Sequence, residues 1–201
     1  MIIIEQSHEI LHMDDIKRIE IAGRTCYKSE DKITGNSANK FCKMLIKRGH
    51  EAMLEHASAS VKFITNRGIT QELVRHRVAS FGQESTRYVN YGGDDIVFIR
   101  PVWMNNEDKG LYAFTVACER AENGYKELIF CGWRPEQARE VLPNSLKTEI
   151  VVTANFREWR HIFKLRAIGT TGKPHPQMQA LMMPVLEGFA NKCPAIFGDL
   201  F

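Results

Sequence analysis

The chain has 201 residues, 27 basic and 24 acidic, and a net charge of +3 with its histidines neutral. At 44% hydrophobic and 25% charged it has the composition of a soluble globular protein of one domain, and its charge is too mild for a nucleic-acid coat, so any positive field must be local. No run of about 18 apolar residues is present to cross a membrane, and Met1-Ile2-Ile3-Ile4-Glu5 lacks the basic start and long apolar run of a signal peptide, so a cytoplasmic location is expected.

Ile2 to Glu5 is predicted as a short opening strand. Asp14 or Asp15 can cap a helix that turns Ile16, Ile19 and Ala22 inward and runs to about Tyr27. After a polar loop a second helix carries Phe41, Met44 and Leu45, and Gly49 ends it behind Lys47 and Arg48. Ala57 to Thr65 alternates as a half-buried strand, with Ala59, Val61 and Phe63 on one side. A short helix over Gly68–Arg77 is expected to deliver Arg75-His76-Arg77 at its end, followed by strands around Arg87–Tyr91 and Ile96–Arg100. Leu111 to Phe130 spaces Leu111, Phe114, Ala117, Ala121, Tyr125 and Leu128 as a long helix, and Pro135 opens another that stops before Pro143. Leu146 to Ala154 alternates again, Asn155 caps the helix of Trp159, Ile162 and Phe163, and a last helix runs from about Pro176 to Asn191 with Pro184 inside it. Strands and helices mix without strict alternation. That predicts an α+β fold in a single domain, residues 1–201, with helices packed on a mixed or antiparallel sheet.

The chemistry concentrates in Arg75-His76-Arg77-Val78-Ala79-Ser80-Phe81-Gly82-Gln83-Glu84-Ser85-Thr86-Arg87-Tyr88. Arg75, Arg77 and Arg87 stay charged at any working pH, and their planar forks suit phosphate or carboxylate oxygens. Taken singly, each is a solvated cation at a helix end; taken together with Ser85, they make an oxyanion pocket the better reading. Arg166 follows Trp159, Ile162 and Phe163 at helical spacing, so an α-helix projects it from an apolar face, where a guanidinium needs a partner. Arg157 and His161 share another face. His50 and His56 flank Glu51 and Glu55, but their spacing does not set both on one helix face, so a metal is disfavoured. Neither a Gly-rich dinucleotide fingerprint nor a P-loop occurs. Ser85 has arginines beside it rather than an evident base, which suits a ligand-holding serine. Five scattered cysteines read as buried thiols rather than a disulfide framework.

These residues resemble the flavin-dependent thymidylate synthases, whose signature RHRxxSxNxxSxRY matches Arg75 to Tyr88 except at Gly82. Arg48-Gly49-His50-Glu51, Glu55-His56, Ala138 to Pro143, Asn155 to His161, Lys164-Leu165-Arg166 and His175-Pro176-Gln177 follow in family order, so the likeness runs from about Arg24 to Pro194. It implies the α+β fold of the thymidylate synthase-complementing type and reductive methylation of dUMP to dTMP. Methylenetetrahydrofolate would give the carbon, and FAD, reduced by NADPH, the hydride. It further implies dUMP among Glu72, Arg75, Gln83, Ser85, Arg87, Arg139 and Arg166, with Arg166 the catalytic residue favouring ionisation at uracil N3. FAD would contact His50, Ala52, Arg75, His76, Arg77, Gln83, Asn155, Arg157 and His161. The family's active sites are shared between subunits of a homotetramer, and neither nucleic acid nor membrane is an expected partner.

The chain also departs from its relatives. Gly82-Gln83 stands where many have Asn-Glu, Glu72 where some have Gln, Ala52 where some have Thr, and Ala167 to Pro174 forms an extra loop before His175. Two rival readings stay open: a flavin-binding nucleotide enzyme of this fold without methyl transfer, and a non-enzymatic nucleic-acid-binding module using Arg75 to Arg87.

Overall fold

Two strands of strict alternation, each burying every second residue, organise the molecule. The computed structural model describes residues 1–201. In chain order it comprises β1 (Ile2–Ile4), β2 (Ser7–Met13), α1 (Lys17–Thr25), α2 (Ser37–Arg48), β3 (Ser58–Asn66), α3 (Arg67–Leu73), β4 (Ser80–Gln83) and β5 (Val97–Ile99). Then come α4 (Leu111–Phe130), α5 (Pro135–Ala138), β6 (Lys147–Asn155), α6 (Phe156–Phe163), α7 (Pro176–Lys192) and α8 (Pro194–Phe197). β1 pairs parallel with β5, and a four-stranded sheet has the order β2-β3-β6-β4. The class is α+β, as expected. The residues fall into two compact units, one of Met1–Ser7, Phe63–Arg75 and Gly82–Val151, the other of His8–Lys62, His76–Phe81 and Val152–Phe201.

In the first unit, Ile96, Phe98, Cys118, Tyr125, Ala138 and Leu146 form the buried core, with Phe114, Leu128 and Ile129 of α4 packed on it. The Asn66 side chain caps α3 by accepting from Ile69 N at 2.9 Å. That helix stops at Leu73 rather than Arg77. His76 is buried while Arg75 and Arg77 are exposed, and a turn gives consecutive residues that in-out alternation where a helical face would not. The chain then forms β4, a strand the sequence reading did not anticipate, whereas Arg87–Tyr91, expected as a strand, is turn and loop. The Ser85 carbonyl accepts both Tyr88 N and Val89 N, at 3.1 and 3.0 Å, which curls the backbone away from sheet pairing.

In the second unit, Trp159, Phe163, Phe189 and Phe197 pack with ring centroids between 5.1 and 5.9 Å apart. Trp159 Nε1 donates to the Ala59 carbonyl at 3.0 Å, which fixes α6 to β3. The N-cap at Asn155 is as expected, its side chain accepting from Glu158 N at 2.8 Å. Gly49 ends α2 at φ 69°, the left-handed conformation that favours glycine. Buried Arg160 makes a bidentate pair with Asp199 at 2.6 and 2.7 Å and also donates to the Ile196 carbonyl, anchoring the segment after α8.

Asp15 accepts from Lys17 N at 2.9 Å at the start of α1, whereas Asp14 ties α1 to β3. Its carboxylate accepts from Ser58 N at 2.9 Å, Ser58 Oγ at 3.0 Å and Arg18 at 2.7 Å. Partial burial works against the charge, but the Ser58 N–H and Arg18 outweigh it and hold the carboxyl at about 2, below its usual 3.8. A depressed carboxylate stabilises the fold above its unfolded pKa, and that contribution is lost as pH falls through the folded value. Asp14→Asn is therefore expected to destabilise by about 1–3 kcal/mol at neutral pH. In urea titrations the gap to wild type should shrink as pH falls from 3.8 toward 2; a gap that ignores pH would contradict this account.

Candidate active site

His76 is the best-defined polar residue of the second unit. Only 5% exposed, it sits between a carboxylate and a guanidinium. Its Nδ1 lies 3.3 Å from Glu158 Oε1, and Arg166 Nε donates to its Nε2 at 3.2 Å. An arginine N–H can only donate, so Nε2 carries the lone pair and the proton of the neutral ring is on Nδ1. Burial, then the charge of Arg166, then His161 bring the His76 pKa down to about 4. The His161 ring meets it edge-on with centroids 5.8 Å apart. Burial pushes the Glu158 carboxyl up, and His161 works against that.

Arg166 does not continue an ordinary α-helix as its spacing implied. Lys164–Ile168 form a π-turn that ends at Gly169, φ 82°. A Cβ at Gly169 would meet Pro174 Cδ at 2.7 Å and the Gly172 carbonyl at 2.8 Å, so only glycine closes the turn there. Within this turn Arg166 is half-buried and reaches His76. A partner is found, and it is an imidazole.

Asn155, Arg157 and His161 of the predicted set line one cleft of about 450 Å³, together with Glu51, Glu55 and Lys164. Arg157 there donates to Glu55 at 2.6 Å and lies 3.8 Å from Glu51. His50 and Ala52 line a different cavity of about 600 Å³, among Tyr27, Phe41, Arg48 and Met53.

In the first unit the Gln83 amide is pinned. Its Nε2 donates to Thr70 Oγ1 at 2.9 Å and to Thr148 Oγ1 at 3.2 Å, while Thr70 donates to the Arg67 carbonyl at 3.0 Å. Ser85 Oγ accepts from Arg87 N at 3.3 Å, shaping the turn. Arg87 is exposed, with Nε 3.9 Å from Glu136 and its guanidinium 5.5 Å from the Tyr88 ring centroid. Arg139 donates to Thr86 at 3.3 Å, and Arg75 N donates to the Glu72 carbonyl at 3.3 Å. Neither the Arg75 nor the Arg77 guanidinium has an ion-pair partner, and both are exposed. Glu158, Thr70 and Thr148 escaped the sequence reading. Asn155-x-x-Glu158 carries a capping signal, but nothing in it announces contact with a histidine 82 residues earlier.

Fold and side chains define an α+β protein with anion-ready arginines and a neutral buried histidine on one of them. Residues 10–195 match the thymidylate synthase complementing protein family. Flavin-dependent thymidylate synthase of Geobacter sulfurreducens is 32% identical over 188 residues, covering 90% of this chain and 80% of the relative. That of Mycolicibacterium vanbaalenii is 34% identical over 200 residues, covering 90% and 78%. The fold is shared with the UMP/dUMP methylase PolB from Streptomyces cacaoi bound with 5-Br dUMP, at TM-score 0.85 and 22% identity over 98% of this chain and 96% of that one. The chain belongs to the flavin-dependent thymidylate synthase family. No helix is long and apolar enough to cross a membrane.

A histidine with a depressed folded pKa is more readily protonated when unfolded, so it favours the folded state fully above 6.5 and loses that contribution as pH falls toward about 4. His76→Gln removes the titration. The urea midpoint of wild type should fall more steeply than that of the variant between these two pH values; parallel profiles would show that His76 is not held neutral.

Proposed function

We propose that this chain is a flavin-dependent thymidylate synthase that converts dUMP to dTMP by reductive methylation, with residues 1–201 acting as one such domain. The observation that supports it most is Arg166, half-buried and steered by a neutral imidazole within a chain that matches the family from residue 10 to 195. As C5 of uracil becomes nucleophilic the base gains negative charge, and a fixed guanidinium stabilises that charge more than the ground state. Arg166 is the catalytic residue in this reading. Ser85, Arg87 and Arg139 hold the phosphate, and Glu72, Arg75 and Gln83 complete the dUMP set.

The donor chemistry fits a dinucleotide cofactor. Arg75 and Arg77 are exposed without ion-pair partners, and Asn155, Arg157 and His161 share one cleft, so hydrogen-bond donors and positive charge are available for a pyrophosphate. His50, Ala52, His76 and Gln83 complete the FAD set; Arg157 joins it by exchanging Glu55 for the cofactor. When bound, FAD reduced by NADPH supplies the hydride, and 5,10-methylenetetrahydrofolate supplies the carbon. The protein's part is to bind, orient and polarise. We further propose a cytoplasmic homotetramer whose sites are shared between subunits, so that Ser85 and Arg87 serve a neighbour's nucleotide.

The purified protein should be yellow, its flavin spectrum should shift with dUMP, and it should release tritium from C5 of labelled dUMP as dTMP forms. A flavin spectrum without tritium release would favour a related flavoprotein that lacks methyl transfer. Steeply salt-dependent oligonucleotide binding without flavin would favour a nucleic-acid module. Arg166→Ala should lower dTMP formation about 100-fold or more with flavin content unchanged; near-normal turnover would remove Arg166 from the mechanism. Ser85→Ala should keep measurable activity. Complete loss with normal dUMP binding would instead assign Ser85 a covalent role.

A further inference from the structure

Two buried hydroxyls meet at Gln83, Thr70 from α3 and Thr148 from β6, each only 1% exposed. The Gln83 Nε2 gives one hydrogen to Thr70 Oγ1 at 2.9 Å and the other to Thr148 Oγ1 at 3.2 Å, so both N–H groups of the amide are taken. Its Oε1 makes no hydrogen bond within the protein, and the residue is partly exposed. The atom left over for a ligand is an acceptor.

The two threonines are not equivalent. A hydroxyl can give or take a hydrogen bond, so Thr148 alone would suit the amide either way round, taking from Nε2 or giving to Oε1. Thr70 has no such choice. Its hydrogen goes to the Arg67 carbonyl at 3.0 Å, and a carbonyl can only accept. Toward Gln83 the Thr70 oxygen is therefore an acceptor too, and an Oε1 placed there would set acceptor against acceptor. Arg67 is itself fixed, its N–H donating to the Leu146 carbonyl at 3.1 Å. Which end of the amide points inward is thus decided at α3, through Thr70.

We propose that Thr70 is a positioning residue: it holds the Gln83 amide with Oε1 presented to a ligand group that donates a hydrogen bond, a sugar hydroxyl or an imide N–H. The inference rests on the proposed place of Gln83 among the dUMP and FAD residues, and both ligands carry such donors. Fixed this way, the amide offers the acceptor of a carboxylate without its negative charge, which would repel the phosphates of either ligand. It also gives Thr70 a reason to be buried with its own hydrogen already committed.

The test uses the full chain with ¹⁵N-labelled glutamine, the Gln83 side-chain signal being assigned by its loss in Gln83→Met. In wild type without dUMP, both Gln83 side-chain N–H protons should exchange with water more slowly than those of exposed Gln71; equal exchange would overturn the proposal with no variant made. Thr70→Val keeps the shape and removes the oxygen, so the amide should turn, Thr148 giving to Oε1 and the NH2 group exchanging freely. Affinity for the ligand that Gln83 touches should then fall about 3- to 10-fold, as for the loss of one neutral hydrogen bond. Thr70→Ser restores the hydroxyl and should bind as wild type. Titrating dUMP into flavin-loaded protein and FAD into flavin-free protein gives two separate arms, and the arm that weakens names the ligand. Thr148→Val should leave one N–H protected and both affinities within about twofold of wild type. In a Gln83→Met background Thr70→Val should change neither affinity further. Wild-type affinity for both ligands in Thr70→Val, a loss that Thr70→Ser does not recover, an equal loss in Thr148→Val, or an equal loss without the Gln83 amide each overturns the inference. Failure of wild type to bind either ligand would overturn the proposed function instead, and the exchange measurement, made without dUMP, keeps the two failures apart.

Discussion

A neutral imidazole held between a carboxylate and a guanidinium is the contact on which the candidate chemistry depends. Were His76 protonated, it would face Arg166 across 3.2 Å with two donors and two positive charges. Burial and the Arg166 charge together keep that state from forming near neutral pH. The π-turn of Lys164–Ile168 carries Arg166 to this contact. The aromatic face of α6 belongs to Trp159 and Phe163, which are fully buried and pack on Phe189.

A protein of small net charge can still bind anionic groups where individual cations are left without carboxylate partners. Arg160 is taken by Asp199 in a bidentate pair, Arg24 by Glu20 at 2.8 Å, and Lys147 by Glu149 at 2.6 Å. These pairs are structural, and the carboxylates are fixed along with the cations. Arg75 and Arg77 are left without ion-pair partners, and Arg87 has only a 3.9 Å approach from Glu136. The local field therefore comes from which arginines lack a partner, not from the net charge of +3.

Elements with a strong period or a clear stop were legible in the sequence: β3 and β6 through alternation, α4 through its inward stripe, α2 through Gly49, α6 through Asn155. β2 and β4 were not. Ser7–Met13 includes two histidines and a glutamate that weaken the apolar signal, and Ser80–Gln83 is only four residues long with a glycine inside. In both, pairing with a neighbouring strand supplies what local preference does not. Arg166 was legible as a cation in need of a partner, but its direction was not, because a single π-turn shifts every later side chain without a mark in the hydrophobic pattern. The approach of Glu158 to His76 was invisible for a similar reason. Its partner lies in a distant segment, and only the fold makes them neighbours.

Gly82-Gln83-Glu84 illustrates how a departure from a motif can be absorbed. The Gln83 amide gives hydrogen atoms to Thr70 and Thr148, and Thr70 has already given its own to the Arg67 carbonyl. A carboxylate at position 83 could only accept, so it would compete with Arg67 for the Thr70 proton. The amide is the side chain this pair of threonines can satisfy. The carboxylate stands one residue later, where Glu84 accepts from Tyr91 at 2.7 Å, Lys147 at 3.2 Å and Glu149 N at 3.2 Å. Burial first, and then the Glu84 bond, push the Tyr91 hydroxyl pKa upward, so Tyr91 remains a donor. Gly82 is exposed, and a Cβ there would meet nothing within 4 Å, so no packing demand fixes that position. Gln83 and Glu84 each meet partners of the matching donor or acceptor type, and those bonds hold the segment.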